Sequence, residues 1–390
     1  MPLWLVITGL GITQIIGWGT TFYALGALSP DIALATGWSK ALIFGAFSAA
    51  LLVSGLISRW AGRFVDRRGG RSLMMSGSLI AALGLAIIGL VAHPAAYVAG
   101  WLVLGVAMRL MTYDAAFASL AQIAGTRARR AISYLTLFGG LASTMFWPAS
   151  HYLSEWAGWQ NTLLVYAALH VVICLPVHAL VLRRARGDVT GEAAAVDDTV
   201  PLAGADRRKA MVLFGSALAI NGLVFSAISA HVVPLFEGLG FAGANAVSMA
   251  ALIGPSQVAS RLGEILLGRR LKPTQLGLLA FGLLPVALAT FALGGFGLTA
   301  ALVFAVLYGA SNGLVTIAKG AVPLVLFGVK GYGEVLGILA APNLVLNAAA
   351  PLLFAMLLGV TTPQAALMIA GGAACVSGFA MAWLARAYQR

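Results

Sequence analysis

The chain has 390 residues, 61% of them hydrophobic and only 9% charged. A water-soluble domain carries about a quarter charged residues to cover its surface, so this composition excludes a soluble enzyme or binding module and implies a surface that faces lipid. The formal net charge of +12 would suit a nucleic-acid partner if it formed one patch, but the placement of the charges argues against one.

Apolar runs of about 20 residues, long enough to cross a hydrocarbon core of about 30 Å, recur along the chain. Spans are predicted near 3–27, 41–61, 71–92, 96–123, 130–154 and 160–182, then near 211–236, 246–268, 275–293, 297–325, 333–359 and 363–385. The fold class expected is an all-α membrane protein of twelve transmembrane helices in two six-helix bundles. Met1-Pro2-Leu3-Trp4 leads straight into an apolar run without a basic stretch or cleavage site, so the first span is expected to be retained. Between the two sets, Arg183 to Lys209 holds Asp188, Glu192, Asp197, Asp198 and Asp206 among Gly, Ala and Thr. That stretch cannot bury a core and reads as a flexible linker. The organisation predicted is 1–182 as the first bundle, 183–210 as a cytoplasmic linker and 211–390 as the second bundle.

With the N-terminus taken as cytoplasmic, Lys40 alone of the 24 basic residues falls in an outer loop. Arg109, Arg261 and Lys319 fall inside spans, and the remainder gather on the inner side. This asymmetry follows the positive-inside rule, so both termini are expected in the cytoplasm, with the bilayer and not nucleic acid as partner.

Span 1 is polar for a lipid-crossing segment, with Thr13, Gln14, Trp18, Thr20, Thr21 and Tyr23. Gln14 and Thr21 stand seven apart and share a face, either lining a cavity or bonding a neighbouring helix. After span 2 comes Gly62-x-x-x-Asp66-Arg67-x-Gly69-x-Arg71. Glycines there allow a tight turn. The carboxylate can sit at the positive N-terminal end of another helix, and the arginines can bind carbonyl ends.

Span 4 carries Arg109 and Asp114. A charge at mid-bilayer requires a cavity or a partner. At about 100° per residue the two side chains point about 140° apart on a regular helix. A simple same-face pair is therefore not expected, although a bent side chain could still join them in a structural bridge. Burial disfavours the charged form of a carboxylate, which makes Asp114 the candidate proton carrier.

In the second half, span 8 carries Gln257, Arg261 and Glu264. Gln257 and Arg261 share a face, and Glu264 could neutralise Arg261 locally. Lys319 in span 10 could draw an anion inward or extend to the interface. Pro342-Asn343, Asn347 and Pro351 mark span 11 as kinked, and its start near Glu334 offers a carboxylate to a loop arginine. Cys174 and Cys375 lie in apolar spans without metal-ligand spacing, so no disulfide framework, metal or cofactor is expected.

The Gly62–Arg71 segment closely resembles the loop signature of the major facilitator superfamily. Gly17-Trp18-Gly19, Tyr23, Pro30-Asp31, Gly37-Trp38-Ser39 and Ala46-Phe47-Ser48 add a resemblance to its monocarboxylate-transporter-like branch. Tyr113-Asp114-Ala-Ala-Phe117, Leu135-Thr136, Gly139-Gly140, Ser143-Thr144, Trp147-Pro148 and Thr316-Ile-Ala-Lys319-Gly320 are similar to a bacterial subgroup that includes arsenite-efflux carriers. The resemblance implies a cytoplasmic gate built from Gly62, Asp66, Arg67, Gly69 and Arg71 with Glu334. It also implies a substrate site near the midplane. In the monocarboxylate branch an Asp stands four residues before an Arg, which Gln257-x-x-x-Arg261 resembles with the acid replaced. By that match Arg261 would bind an anionic or hydroxyl-rich substrate.

The function expected is secondary active transport of a small organic anion or metalloid-like solute across the inner membrane, by alternating access. Proton coupling is placed at Asp114, and efflux is favoured. Substrate-binding candidates are Arg261, Gln257, Arg109, Lys319, Gln14, Thr21 and Tyr23, in a chain expected to act as a monomer. Proton-coupled monocarboxylate uptake is the alternative and a channel a remote one. An enzyme is not expected, because no G-x-S-x-G elbow or H-E-x-x-H metal site occurs in the sequence.

Overall fold

The computed structural model describes residues 1–182, 200–241, 243–267, 271–295 and 297–388. Residues 183–199, most of the expected linker with four of its acidic residues, lie outside the described set, as do Arg269 and Arg270. The described residues form helices and turns: α1 (Leu3–Thr36), α2 (Lys40–Arg68), α3 (Gly70–Leu90), α4 (Pro94–Met111), α5 (Tyr113–Ala124), α6 (Ala128–Gly140), α7 (Ala142–Leu169) and α8 (Leu175–Val181). The series continues with α9 (Gly204–Gly238), α10 (Gly243–Ala251), α11 (Ile253–Leu267), α12 (Pro273–Gly294), α13 (Leu298–Phe327), α14 (Tyr332–Val360) and α15 (Pro363–Ala387).

Nine stretches among the described residues are long and apolar enough to cross a membrane. One of them, Pro94–Val181, has 88 residues and would be about 130 Å long if straight, several bilayers deep. It turns at Gly125 (φ 53) and Gly158 (φ 82) and so makes three passes. The pair α10–α11, interrupted at Leu252, adds one more. The described residues thus make an all-α membrane protein with twelve crossings. Leu56, Leu90, Val172, Leu266 and Phe379 stand exposed on helix faces, where lipid is the fitting solvent.

Span 1 runs nine residues beyond its predicted end, to Thr36. Pro30 lies inside the helix and removes the bond to the Gly26 carbonyl. The Ser29 hydroxyl covers that oxygen at 3.4 Å. The stop comes instead at Gly37, whose φ of 70 closes a left-handed cap, and Ser39 then caps α2 through the Leu42 amide. In the second half α9 begins at Gly204, seven residues before the predicted 211, so the end of the expected linker is helical.

The chain divides into two compact units. The first is Met1–Asp198 with Gly328–Ala341, and the second is Thr199–Phe327 with Pro342–Arg390. The first ten residues of α14 thus pack with the first unit. Each unit has its own core, Leu28, Ile43, Leu85, Trp101 and Tyr166 in the first and Ile228, Phe236, Leu284, Phe291 and Tyr308 in the second.

Candidate functional site: buried charges at a broken helix and a helix-capping latch

The fourth crossing is not one helix. Thr112 has an extended backbone (φ −85, ψ −164) and separates α4 from α5. Its hydroxyl bonds back to the Met108 carbonyl at 2.6 Å, and the Gln14 amide of α1 reaches the Met111 carbonyl at 2.9 Å. The Gln14 bond satisfies a carbonyl that the end of α4 leaves open, as buried backbone in a membrane requires, while the Met108 carbonyl also accepts from the Thr112 amide at 3.2 Å.

This break changes the geometry of the two charges. Arg109 occupies the last turn of α4 and Asp114 the first turn of α5. Each therefore sits at the helix end whose partial charge opposes its own. They form a direct ion pair, Nη1 to Oδ2, with the residues only 4% and 7% exposed. The expectation that they point apart fails because the regular helical advance stops at Thr112. Around the pair, Arg109 Nε, Gln14 Oε1 and Trp18 Nε1 are buried without a hydrogen-bond partner among the described residues. The Trp18 ring also meets Tyr113 at 5.1 Å between centroids, tilted by 47°. Native proteins leave few such groups unsatisfied, so the region has unused capacity to bind a polar group.

Helix 1 is bonded inward at several of its polar positions. Thr21 donates to its own Gly17 carbonyl, and Thr20 meets His170 Nε2 at 2.8 Å. Tyr23 is half-buried with its ring against Phe22. His170 and His178 are wholly buried, His178 against the Ser78 hydroxyl at 2.9 Å. Sequence reasoning assigned them no part. Sequence carries no signal of such a bond, because it depends on which helix lies alongside.

The loop signature is assembled inside the first unit. Asp66 accepts from the Gly333 and Glu334 amides at 2.8 and 2.7 Å, so its carboxylate caps the N-terminus of α14. Gly62 permits the approach, since a Cβ there would stand 2.0 Å from the Gly333 carbonyl oxygen. Gly69 provides the turn with φ 76. Glu334 is bound by Arg59 at 3.0 Å and Arg63 at 2.9 Å. Arg67 and Arg71, the expected arginines, are exposed and make no ion pair among the described residues. Arg59, Gly62, Arg63 and Asp66 recur at helical spacing on one face of α2, while Arg67 continues that row in the last turn of the helix, one turn past Arg63, and Arg71 lies beyond the turn at Gly69.

In the second unit Arg261 is 4% exposed. Its Nε faces the Gly313 carbonyl at 3.4 Å and its Nη2 the Thr316 hydroxyl at 3.3 Å. Gln257 bonds Asn312 at 3.0 Å. Glu264 is buried one turn beyond Arg261 on α11, and Lys319 is half-buried on α13. The structure therefore brings Gln14, Arg109 and Asp114 together in one unit and Gln257 and Arg261 in the other. Among the described residues Thr21 bonds only its own helix.

Residues 10–318 match the family profile of the Major Facilitator Superfamily. The crystal structure of the human organic anion transporter MFSD10 (TETRAN) aligns over 98% of this chain and 100% of its own, with a TM-score of 0.77 and 17% identity. No curated protein sequence matches the chain.

Proposed function

The chain belongs to the Major Facilitator Superfamily, and from that premise we propose that it carries a small organic anion by alternating access, coupled to protons at Asp114. The observation that carries this reading is the Arg109–Asp114 pair, buried at a helix break with unsatisfied polar atoms around it. Protonation of Asp114 would release the Arg109 guanidinium to an anionic ligand, and return of the carboxylate would expel that ligand. Such competition couples one proton to one anion without any further group.

Within the second unit, Arg261 with Gln257 offers a further substrate contact, with Lys319 raising the local positive potential. Within the first unit, Gln14 and Tyr23 add polar groups on α1, where Thr21 bonds its own helix. Asp66, capping α14 beside Gly62 and Gly69, acts as the cytoplasmic latch, with Glu334 held by Arg59 and Arg63. The protein works as a monomer in the inner membrane with both termini inside, and export is the favoured direction, driven by an outward gradient of the anion because the proton leaves with it. MFSD10 is by name an organic anion transporter, the substrate charge assigned here.

The test is the purified chain in liposomes loaded with a pH dye, offered lactate-like acids, dicarboxylates and arsenite. Saturable movement of an organic acid with proton flux is expected. Movement of neutral arsenite alone would overturn the anion assignment, and anion movement without any pH response would overturn the coupling.

A further inference from the structure

From residue 311 to residue 327, α13 is buried at every position except Asn312, Thr316 and Lys319, which are half-open. Their spacing of four and three residues puts them on one face. A half-open face that looked onto lipid would be apolar. One made of an amide, a hydroxyl and an ammonium faces the interior of the bundle or water within it.

The neighbouring helix α11 comes unusually close along this face. At Gly309 a Cβ would lie 2.4 Å from the Ile253 carbonyl oxygen, and at Gly313 it would lie 2.5 Å from that of Gln257. This is the small-residue spacing that lets membrane helices touch backbone to backbone. It brings Asn312 Nδ2 to Gln257 Oε1 at 3.0 Å. Thr316 donates to the Asn312 carbonyl at 2.9 Å while it accepts from Arg261. Whichever way each amide is turned, two amides joined by one hydrogen bond leave one carbonyl and one NH2 group for other partners. A carbonyl beside an NH2 is the complement of a hydroxyl, which both donates and accepts. A guanidinium held one turn away is the complement of a carboxylate.

We infer that Asn312 is a specificity residue that reads, with Gln257, a hydroxyl next to the carboxylate of a small organic anion, and that Thr316 is a positioning residue for the Arg261 guanidinium that holds this carboxylate. This rests on the organic-anion reading above and narrows it.

The experiment compares acids that differ only by the hydroxyl, lactate with propionate and malate with succinate, in proteoliposomes of the full chain. A site that hydrogen-bonds a substrate hydroxyl discriminates strongly against the analogue lacking it. For a half-open site we expect KM for the hydroxy acid to be lower by roughly tenfold. Asn312→Ala should bring the KM ratio of each pair close to one. That ratio does not depend on how much of the variant inserts correctly. Gln257→Leu breaks the same amide pair from the other helix and should collapse the ratio likewise. Thr316→Val, which loosens Arg261, should raise KM for both acids of a pair. Equal KM for paired acids in the wild type would overturn the inference while leaving organic-anion transport standing. An unchanged ratio in Asn312→Ala would also overturn it. If no acid of either kind moved, the organic-anion reading would fail, and this inference with it.

Discussion

Replacing Asp114 by Asn tests the broken helix and the proton site together. The substitution keeps the shape but removes the charge that faces Arg109 Nη1. Arg109 is 4% exposed and its Nε has no partner among the described residues, so it cannot recover the loss from water. Removing one member of a buried pair typically costs about 3–5 kcal/mol. Asp114 also lies in the first turn of α5, where a negative charge adds up to ~2 kcal/mol, already partly counted in the pair. A loss of roughly 4 kcal/mol is therefore expected, read as a melting temperature several degrees lower in detergent. Adding Arg109→Gln removes the stranded cation and should restore most of that loss, because a neutral pair of similar volume is often as stable as a buried ionic one. Transport separates the two roles. Asp114→Asn should lose anion movement driven by a pH gradient while keeping part of the substrate exchange, and the double variant should remain uncoupled although it is stable. A single variant as stable as the wild type and equally responsive to the gradient would refute both the pairing energy and the coupling role.

Gly62→Ala should obstruct the latch, because its methyl group would meet the Gly333 carbonyl oxygen at 2.0 Å. Overpacking of this kind costs about 1–3 kcal/mol and should slow transport in a variant that inserts normally. Glu334→Gln should change melting by less than about 1 kcal/mol, since Arg59, Arg63 and Glu334 are 57%, 44% and 30% exposed and exposed pairs contribute little. Asp66→Ala, by contrast, strips two charge-assisted bonds from the start of α14 and should cost roughly 2 kcal/mol with a clear transport defect. Arg261→Ala should raise the substrate KM or abolish saturable uptake without impairing insertion. Unchanged affinity would make Arg261 a structural residue.

The spans were legible because each obeys a local rule: lipid admits helices of sufficient apolar length, and such length can be counted along the chain. The latch was half legible. Gly62, Gly69 and Asp66 could be read from spacing, but the arginines could not. Which guanidinium meets Glu334 depends on the face that α2 presents to a segment some 270 residues away. One signal at the broken helix was passed over. Thr112 two residues before Asp114 is a residue type found at helix starts in the middle of a span, although its hydroxyl bonds back to Met108 and does not cap α5.

The amino-acid order by itself determined the solvent, the number of crossings and the one-sided distribution of arginine, because these follow from composition summed over about 20 residues. Only the tertiary structure decided that Arg109 meets Asp114, that Asp66 caps α14, and that Gln257 meets Asn312. Those contacts depend on where a helix breaks and how it is rotated against its neighbours. In a bilayer that rotation is set by close packing between helices and not by hydropathy.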